Sequence, residues 1–157
     1  MNPVGWEGMK IAIEGRYDGN LRTRLVHGPS GAEVVTDAPR EYRAESELFS
    51  ATDLVAGALA SCMLTYLAIL AGREHVDLAG SWVRVEKEMC MEPPRRIGSL
   101  TASLHLPAGL GEELRRKLEA AAVSCPVRQS LHTEVAVEVE FVYDVAVPSC
   151  PTRSHGL

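Results

Sequence analysis

The sequence predicts an α+β domain in which grouped short strands surround one long apolar helix, in the order βββ-α-ββ-α-β. Three observations lead there. Short runs of alternating polar and apolar residues are separated by Gly and Pro turn signals. Residues 54–72 contain no charged side chain. Residues 111–124 carry apolar residues at helical spacing. Because the strands come in groups rather than in strict alternation with helices, the class is α+β and not doubly wound. A chain of 157 residues with 46% hydrophobic residues suits one compact domain. That domain is assigned to residues 10–145, with an N-terminal appendage at 1–9 and a flexible tail at 146–157.

The first strand covers Lys10 to Tyr17, with Ile11 and Ile13 on one face. Asp18-Gly19-Asn20 turns the chain into a second strand, Leu21 to His27. Arg22 and Arg24 share one face of it because strand side chains repeat every two residues. Pro29-Ser30-Gly31 makes another turn, and Ala32 to Thr36 closes a three-stranded meander. After a polar stretch from Pro39 to Phe49 comes the charge-free run. About 20 apolar residues could span a bilayer. This run, however, is rich in Ala, Gly, Ser and Thr and is followed by globular sequence, so a long buried central helix is expected. In so small a chain, a second subunit is expected to cover it. Ser81 to Met91 forms the next strand and Pro93-Pro94 ends it. From Ile97 to Leu106, the side chains of Leu100, Ala102, Leu104 and Leu106 face one way and those of Thr101, Ser103 and His105 the other. In the amphipathic helix Gly111 to Ser124, Leu114, Leu118, Ala121 and Ala122 form the apolar side. The last strand, Glu134 to Tyr143, places Val135, Val137, Val139 and Phe141 together.

Composition excludes several function classes. The formal charge is −5, so the basic footprint of a nucleic-acid or anionic-membrane binder is absent. Met1 to Gly8 lacks a basic region followed by an apolar run, so no signal peptide is read and a reducing, cytoplasmic location is expected. Cys62, Cys90, Cys125 and Cys150 are widely spaced with no CxxC, which gives a zinc site or thioredoxin-type motif little support.

Cys62 lies about three turns into the apolar helix. On its own it reads as a small buried hydrophobe, and apolar burial raises a thiol pKa. To act as a nucleophile it needs a cation from elsewhere in the fold. Cys125 closes the second helix before Pro126, which prevents that helix from continuing and leaves the sulfur on a loop-like shoulder. Cys90 and Cys150 read as bystanders, and His75 and His132 as surface residues.

Two stretches change the weighing. Ser50-Ala51-Thr52-Asp53-Leu54-Val55-Ala56-Gly57-Ala58-Leu59-Ala60-Ser61-Cys62 resembles the signature of the OsmC/Ohr family, in which a polar turn and an acid open a long helix bearing a peroxide-attacking Cys. Ser124-Cys125-Pro126-Val127 resembles that family's second signature at the expected distance. The resemblance covers residues 10–143 and includes the order of elements. It implies an OsmC-like fold in an intertwined homodimer, and thiol-dependent reduction of a small-molecule peroxide. Cys62 would become a sulfenic acid and then form a disulfide with Cys125. A dithiol reductant would restore both thiols, with no metal or organic cofactor.

The resemblance also implies an Arg and an acid beside the thiolate. Arg22 matches the Arg, and Arg24 remains open. The acid lies ten residues before the Cys in the Ohr branch, and 62 − 10 is 52, occupied here by Thr52. Asp53 is adjacent but turned by about 100° on a helix. Ser50 to Asp53 also fits a capping box, which gives Asp53 a structural task. Glu47 is a further candidate. The displaced acid places the chain in a general OsmC-like branch rather than a dedicated Ohr one. It also keeps a second reading open, a non-catalytic dimer that holds a small ligand in an apolar cleft. In the enzymatic reading, Leu59 and Tyr66 are expected to wall an apolar peroxide site.

Overall fold

The computed structural model describes residues 10–146. Residues 1–9 and 147–157, which include the expected appendage, nearly all of the expected tail and Cys150, lie outside the described residues. The chain forms two compact units, Met1–Leu54 and Val55–Leu157.

In the first unit, β1 (Ile13–Gly19), β2 (Arg22–His27) and β3 (Glu33–Thr36) form an antiparallel sheet in the order β1-β2-β3. The β1–β2 turn puts Asn20 and Leu21 at φ values of 51° and 60°. This left-handed backbone matches the twist of a hairpin, and the Leu21 N–H donates to the Tyr17 hydroxyl. The polar segment after β3 is irregular but tied down. The Asp37 N–H donates to the Phe49 carbonyl at 3.0 Å.

The second unit holds most of α1 (Ala51–Arg73), followed by β4 (Trp82–Cys90), β5 (Arg96–Pro107), α2 (Glu112–Val123), α3 (Pro126–Ser130) and β6 (Ala136–Val145). β4 pairs antiparallel with β5, and β5 pairs parallel with β6. A parallel pair needs a crossover, and α2 and α3 supply it. The faces of β5 are as the alternation predicts: Leu100, Ala102, Leu104 and Leu106 are fully buried, whereas Thr101, Ser103 and His105 are not.

Two expectations need correction. The βββ-α-ββ-α-β order omits α3. Pro126 ends α2 but also starts a new turn, because proline's fixed φ and missing N–H suit the first helical position. The long helix is also not buried all round. Ala56, Leu59, Met63, Leu67 and Ala71 form one buried stripe, while Gly57, Ala58, Ser61, Thr65, Ala68 and Gly72 are exposed in the single chain. A three-stranded sheet with one amphipathic helix covers only one side of a cylinder. α1 is long and apolar enough to cross a membrane by length and composition.

The buried stripe of α1 belongs to one core with Leu100, Leu104, Leu106, Leu118, Ala122 and Cys125. Polar ties hold α2 in place beside it. Lys117 pairs with Glu74, just past α1, at 3.1 Å. The Tyr143 hydroxyl of β6 donates to Glu119 at 2.8 Å, and the Arg115 guanidinium lies 4.0 Å from the Tyr143 ring centre.

Leu104 is fully enclosed and Thr101 faces outward on the same strand. Leu104→Ala should cost about 2–5 kcal/mol in urea unfolding, and Thr101→Ala no more than about 0.5 kcal/mol. Equal midpoints for the two variants would contradict this assignment of faces.

Candidate functional site

Cys62 lies on a flank of α1, one residue before the buried Met63 and hence about 100° round the helix from it. It is half-buried. Cys125 lies between α2 and α3 and is fully buried. Both belong to the second unit, where Cys62 packs against the core that contains Cys125 and lies near enough to act on its thiol. Sequence spacing could not show this proximity, because it depends on how α2 packs against α1.

The environment sets the two sulfurs apart. Burial pushes the Cys125 thiol above its ordinary value. The hydrogen bond to Cys62, and the negative charge Cys62 would carry as a thiolate, push it further in the same direction. The backbone N–H groups of Arg128 and Val127 act against this. They lie in the first turn of α3, yet neither closes a regular capping bond. Burial acts most strongly, so the Cys125 environment favours the neutral thiol.

A cavity of about 340 Å³ is lined by Tyr66, Ile69, Leu70, Arg73, Ala120, Ala121 and Ser124, and by neither cysteine. Tyr66 lines this cavity. Leu59 does not, because it is enclosed in the core. A larger cavity of about 590 Å³, around His75 and Asp77 at the end of α1, is lined by no cysteine.

The first unit contains the candidate cation. Arg22 Nε donates to Asp37 Oδ1 at 2.8 Å. The Asp37 side chain has no solvent exposure, whereas that of Arg22 is 37% exposed. Asp37 also accepts from Arg43 Nη1 at 3.4 Å and from the Glu47 N–H at 3.3 Å. Arg22, foremost among these donors, holds the carboxyl below its ordinary value of 3.8. Arg24 differs: its Nε donates to Asp18 at 3.0 Å and its Nη1 to Glu33 at 2.7 Å. Geometry therefore separates the two arginines that the sequence left open.

The acid in direct contact with Arg22 is Asp37, which the sequence reading did not name. Asp53 caps α1. Its Oδ2 accepts from the Ser50 N–H at 2.8 Å, and its own N–H donates to Ser50 Oγ at 3.2 Å. Thr52 meets Ser50 Oγ at 3.1 Å. Glu47 offers Asp37 its backbone N–H, and its carboxylate acts on Arg22 only as a charge at longer range. Asp37, which makes the direct contact, follows a strand directly and matches no motif. Its one signal was an acid placed between an apolar strand and Ala38-Pro39.

The remaining candidates stand apart. His132 is exposed and faces Glu134 at 3.8 Å. Cys90 ends β4, with its Sγ 4.0 Å from the Glu92 carbonyl. Among the described residues, no group of three or more His, Cys, Asp or Glu side chains could hold a metal.

Two outcomes follow. Limited iodoacetamide treatment at pH 7 should label Cys62 well before Cys125, read by peptide mass spectrometry. Equal labelling would contradict the difference in burial and protonation. A carboxyl with a depressed folded pKa contributes stability above the unfolded value, and that contribution is lost as pH falls through the folded one. Asp37 should therefore stabilise fully at pH 7 and progressively less below its ordinary value of 3.8. Asp37→Asn should remove that acid-dependent component from urea midpoints measured between pH 7 and pH 3.

The family model described as OsmC-like protein matches residues 44–140. A protein of Psychrobacter arcticus 273-4, assigned to the osmotic stress induced and detoxification response, is 34% identical, with 88% of this chain and 99% of that one aligned at a TM-score of 0.79. The organic hydroperoxide resistance protein OsmC of Legionella pneumophila shares the fold at 18% identity, covering 85% of this chain and 97% of that one with a TM-score of 0.68. The organic hydroperoxide resistance protein OhrB of Bacillus subtilis, also 18% identical, covers 85% and 98% with a TM-score of 0.64. No curated protein matches the chain in sequence. The matched span, the 34% identity over nearly the whole of the Psychrobacter chain, and the shared two-sheet α+β architecture agree: this chain belongs to the OsmC-like family.

Proposed function

We infer that this protein reduces organic hydroperoxides with a pair of thiols, in defence against oxidative stress. The observation that carries this reading is the setting of half-buried Cys62 against the core that encloses Cys125. Two structural cysteines gain nothing from such an arrangement. A nucleophile and its resolving partner need it.

In this scheme the Cys62 thiolate attacks the terminal oxygen of ROOH. The S–O bond forms as the O–O bond breaks, and RO⁻ leaves to take up a proton as ROH. Cys62 is now a sulfenic acid. The Cys125 sulfur attacks it, the S–S bond forms, and the hydroxyl leaves as water with the Cys125 proton. An external dithiol, available in a reducing cytoplasm, reduces the disulfide by exchange and is itself oxidised. Arg22 is the candidate cation that the family resemblance implies, and Asp53 caps α1. The scheme needs no metal or organic cofactor. The apolar lining of the 340 Å³ cavity favours an alkyl or aryl peroxide over hydrogen peroxide. The names of the Legionella and Bacillus proteins support the substrate class.

The exposed face of α1 is uncharged and built from small side chains, as suits close packing of a second copy. A homodimer covers that apolar face without a membrane.

Reduced protein mixed with cumene hydroperoxide should consume one equivalent of peroxide and form the Cys62–Cys125 disulfide. Added dithiothreitol should make the reaction catalytic. Cys62→Ser should lower the rate by about 100-fold or more. Cys125→Ser should still react once and accumulate a sulfenic acid that dimedone traps. Unchanged peroxide consumption by Cys62→Ser would refute the reading.

A further inference from the structure

We propose that the cavity between α1 and α2 binds a monocarboxylate with an apolar chain, and that Arg73 takes the carboxylate. Every residue lining it belongs to the second unit. The cavity is the one assigned above to the peroxide, and the inference rests on that reading where it concerns substrate choice. Binding itself requires neither cysteine, since neither lines the cavity.

The walls follow from helix geometry. Tyr66, Ile69, Leu70 and Arg73 are spaced i, i+3, i+4 and i+7, so they share one face of α1. On the other side α2 and its C-cap present Ala120, Ala121 and Ser124. These side chains are too short to fill the space, and about 340 Å³ is left, at the small end of ligand cavities. Tyr66 and Ile69 are 39% and 52% exposed. Apolar surface of this kind, gathered at a cavity, favours an apolar occupant.

The charge selects the head group. Arg73, the last residue of α1, is the one charged side chain lining the cavity. Among the described residues its guanidinium has no hydrogen-bond or ion-pair partner. A cation in the last turn offsets the helix dipole, but α1 does not need Arg73 as a cap. The Ala71 and Gly72 carbonyls already accept from the Val76 and His75 N–H groups at 2.9 and 3.2 Å. Nearby acids are engaged elsewhere. Glu74 pairs with Lys117 at 3.1 Å, and Glu119 accepts from the Tyr143 hydroxyl at 2.8 Å. Ser124 donates its proton to the Ala120 carbonyl at 2.8 Å, so it offers none to a ligand. A guanidinium fork grips a carboxylate through two parallel N–H bonds. The apolar chain then lies along Tyr66, Ile69 and Leu70. Apolar walls with one unpaired cation favour an anionic amphiphile over a neutral or cationic one.

The test is titration calorimetry of the full-length, reduced protein with decanoate and with decyltrimethylammonium, which has the same chain and the opposite charge. Decanoate should bind at least about tenfold more tightly. Arg73→Gln should weaken decanoate by about tenfold or more. It should also remove the loss of affinity that added salt causes in the wild type. Ala120→Phe, at an exposed position of α2, fills the groove and should abolish binding while the thermal melt stays near wild type. Cys62→Ser should bind decanoate like the wild type, so a failure of the thiol reading is distinguishable from a failure of this one. Equal affinities of wild type and Arg73→Gln for decanoate, or of the wild type for the two amphiphiles, would overturn the proposal. So would absence of decanoate binding to the wild type, the outcome expected if a second copy of the chain closes the groove.

Discussion

The packing of one stripe of α1 onto the β4-β5-β6 sheet is the constraint from which the thiol site follows. Ala56, Leu59, Met63, Leu67 and Ala71 enter the core with Leu100, Leu104 and Leu106. That contact fixes the rotation of the helix about its axis. Once Met63 points inward, Cys62 must lie on the flank, because neighbouring helical residues are about 100° apart. α2 packs against the same core through Leu118 and Ala122, which brings the helix end that carries Cys125 to that flank. Apolar burial, which has no direction of its own, thereby brings two cysteines that are distant in sequence to one core.

The electrostatics of the two units address different needs. In the second unit, burial pushes the Cys125 thiol upward beside a more exposed Cys62, so the two sulfurs differ in environment. In the first, a buried carboxylate is compensated by Arg22, Arg43 and a backbone N–H. Such a cluster adds little net stability over a well-packed apolar one. Its distinctive property is geometric, because it fixes the direction of a long, flexible cation.

Much of the fold was legible because its signals are local. The alternation of Leu100, Ala102, Leu104 and Leu106 against Thr101, Ser103 and His105 reports the two faces of β5 without reference to any other element. The turn at Asp18-Gly19-Asn20 and the stop at Cys125-Pro126 are likewise written in neighbouring residues. The partial exposure of α1 was not legible, since an all-apolar helix does not reveal which side a sheet will cover. Nor was α3, because Pro126 both ends one helix and begins another, and local sequence shows more clearly that a helix stops than that one starts.

The candidate site divides along the same line. The sequence alone singled out the candidates: Cys62 and Cys125, through two motifs at a telling spacing, and Arg22 as a candidate cation. It also contained the capping pattern that engages Asp53. Only the tertiary structure decided that the two cysteines share one core, that Arg24 is consumed by Asp18 and Glu33, and that Asp37 holds Arg22. The physical reason is separation along the chain. A cap joins residues three apart and can be read as a motif, whereas Arg22 and Asp37 are joined only by strand pairing, and Cys62 and Cys125 only by two helices sharing one core.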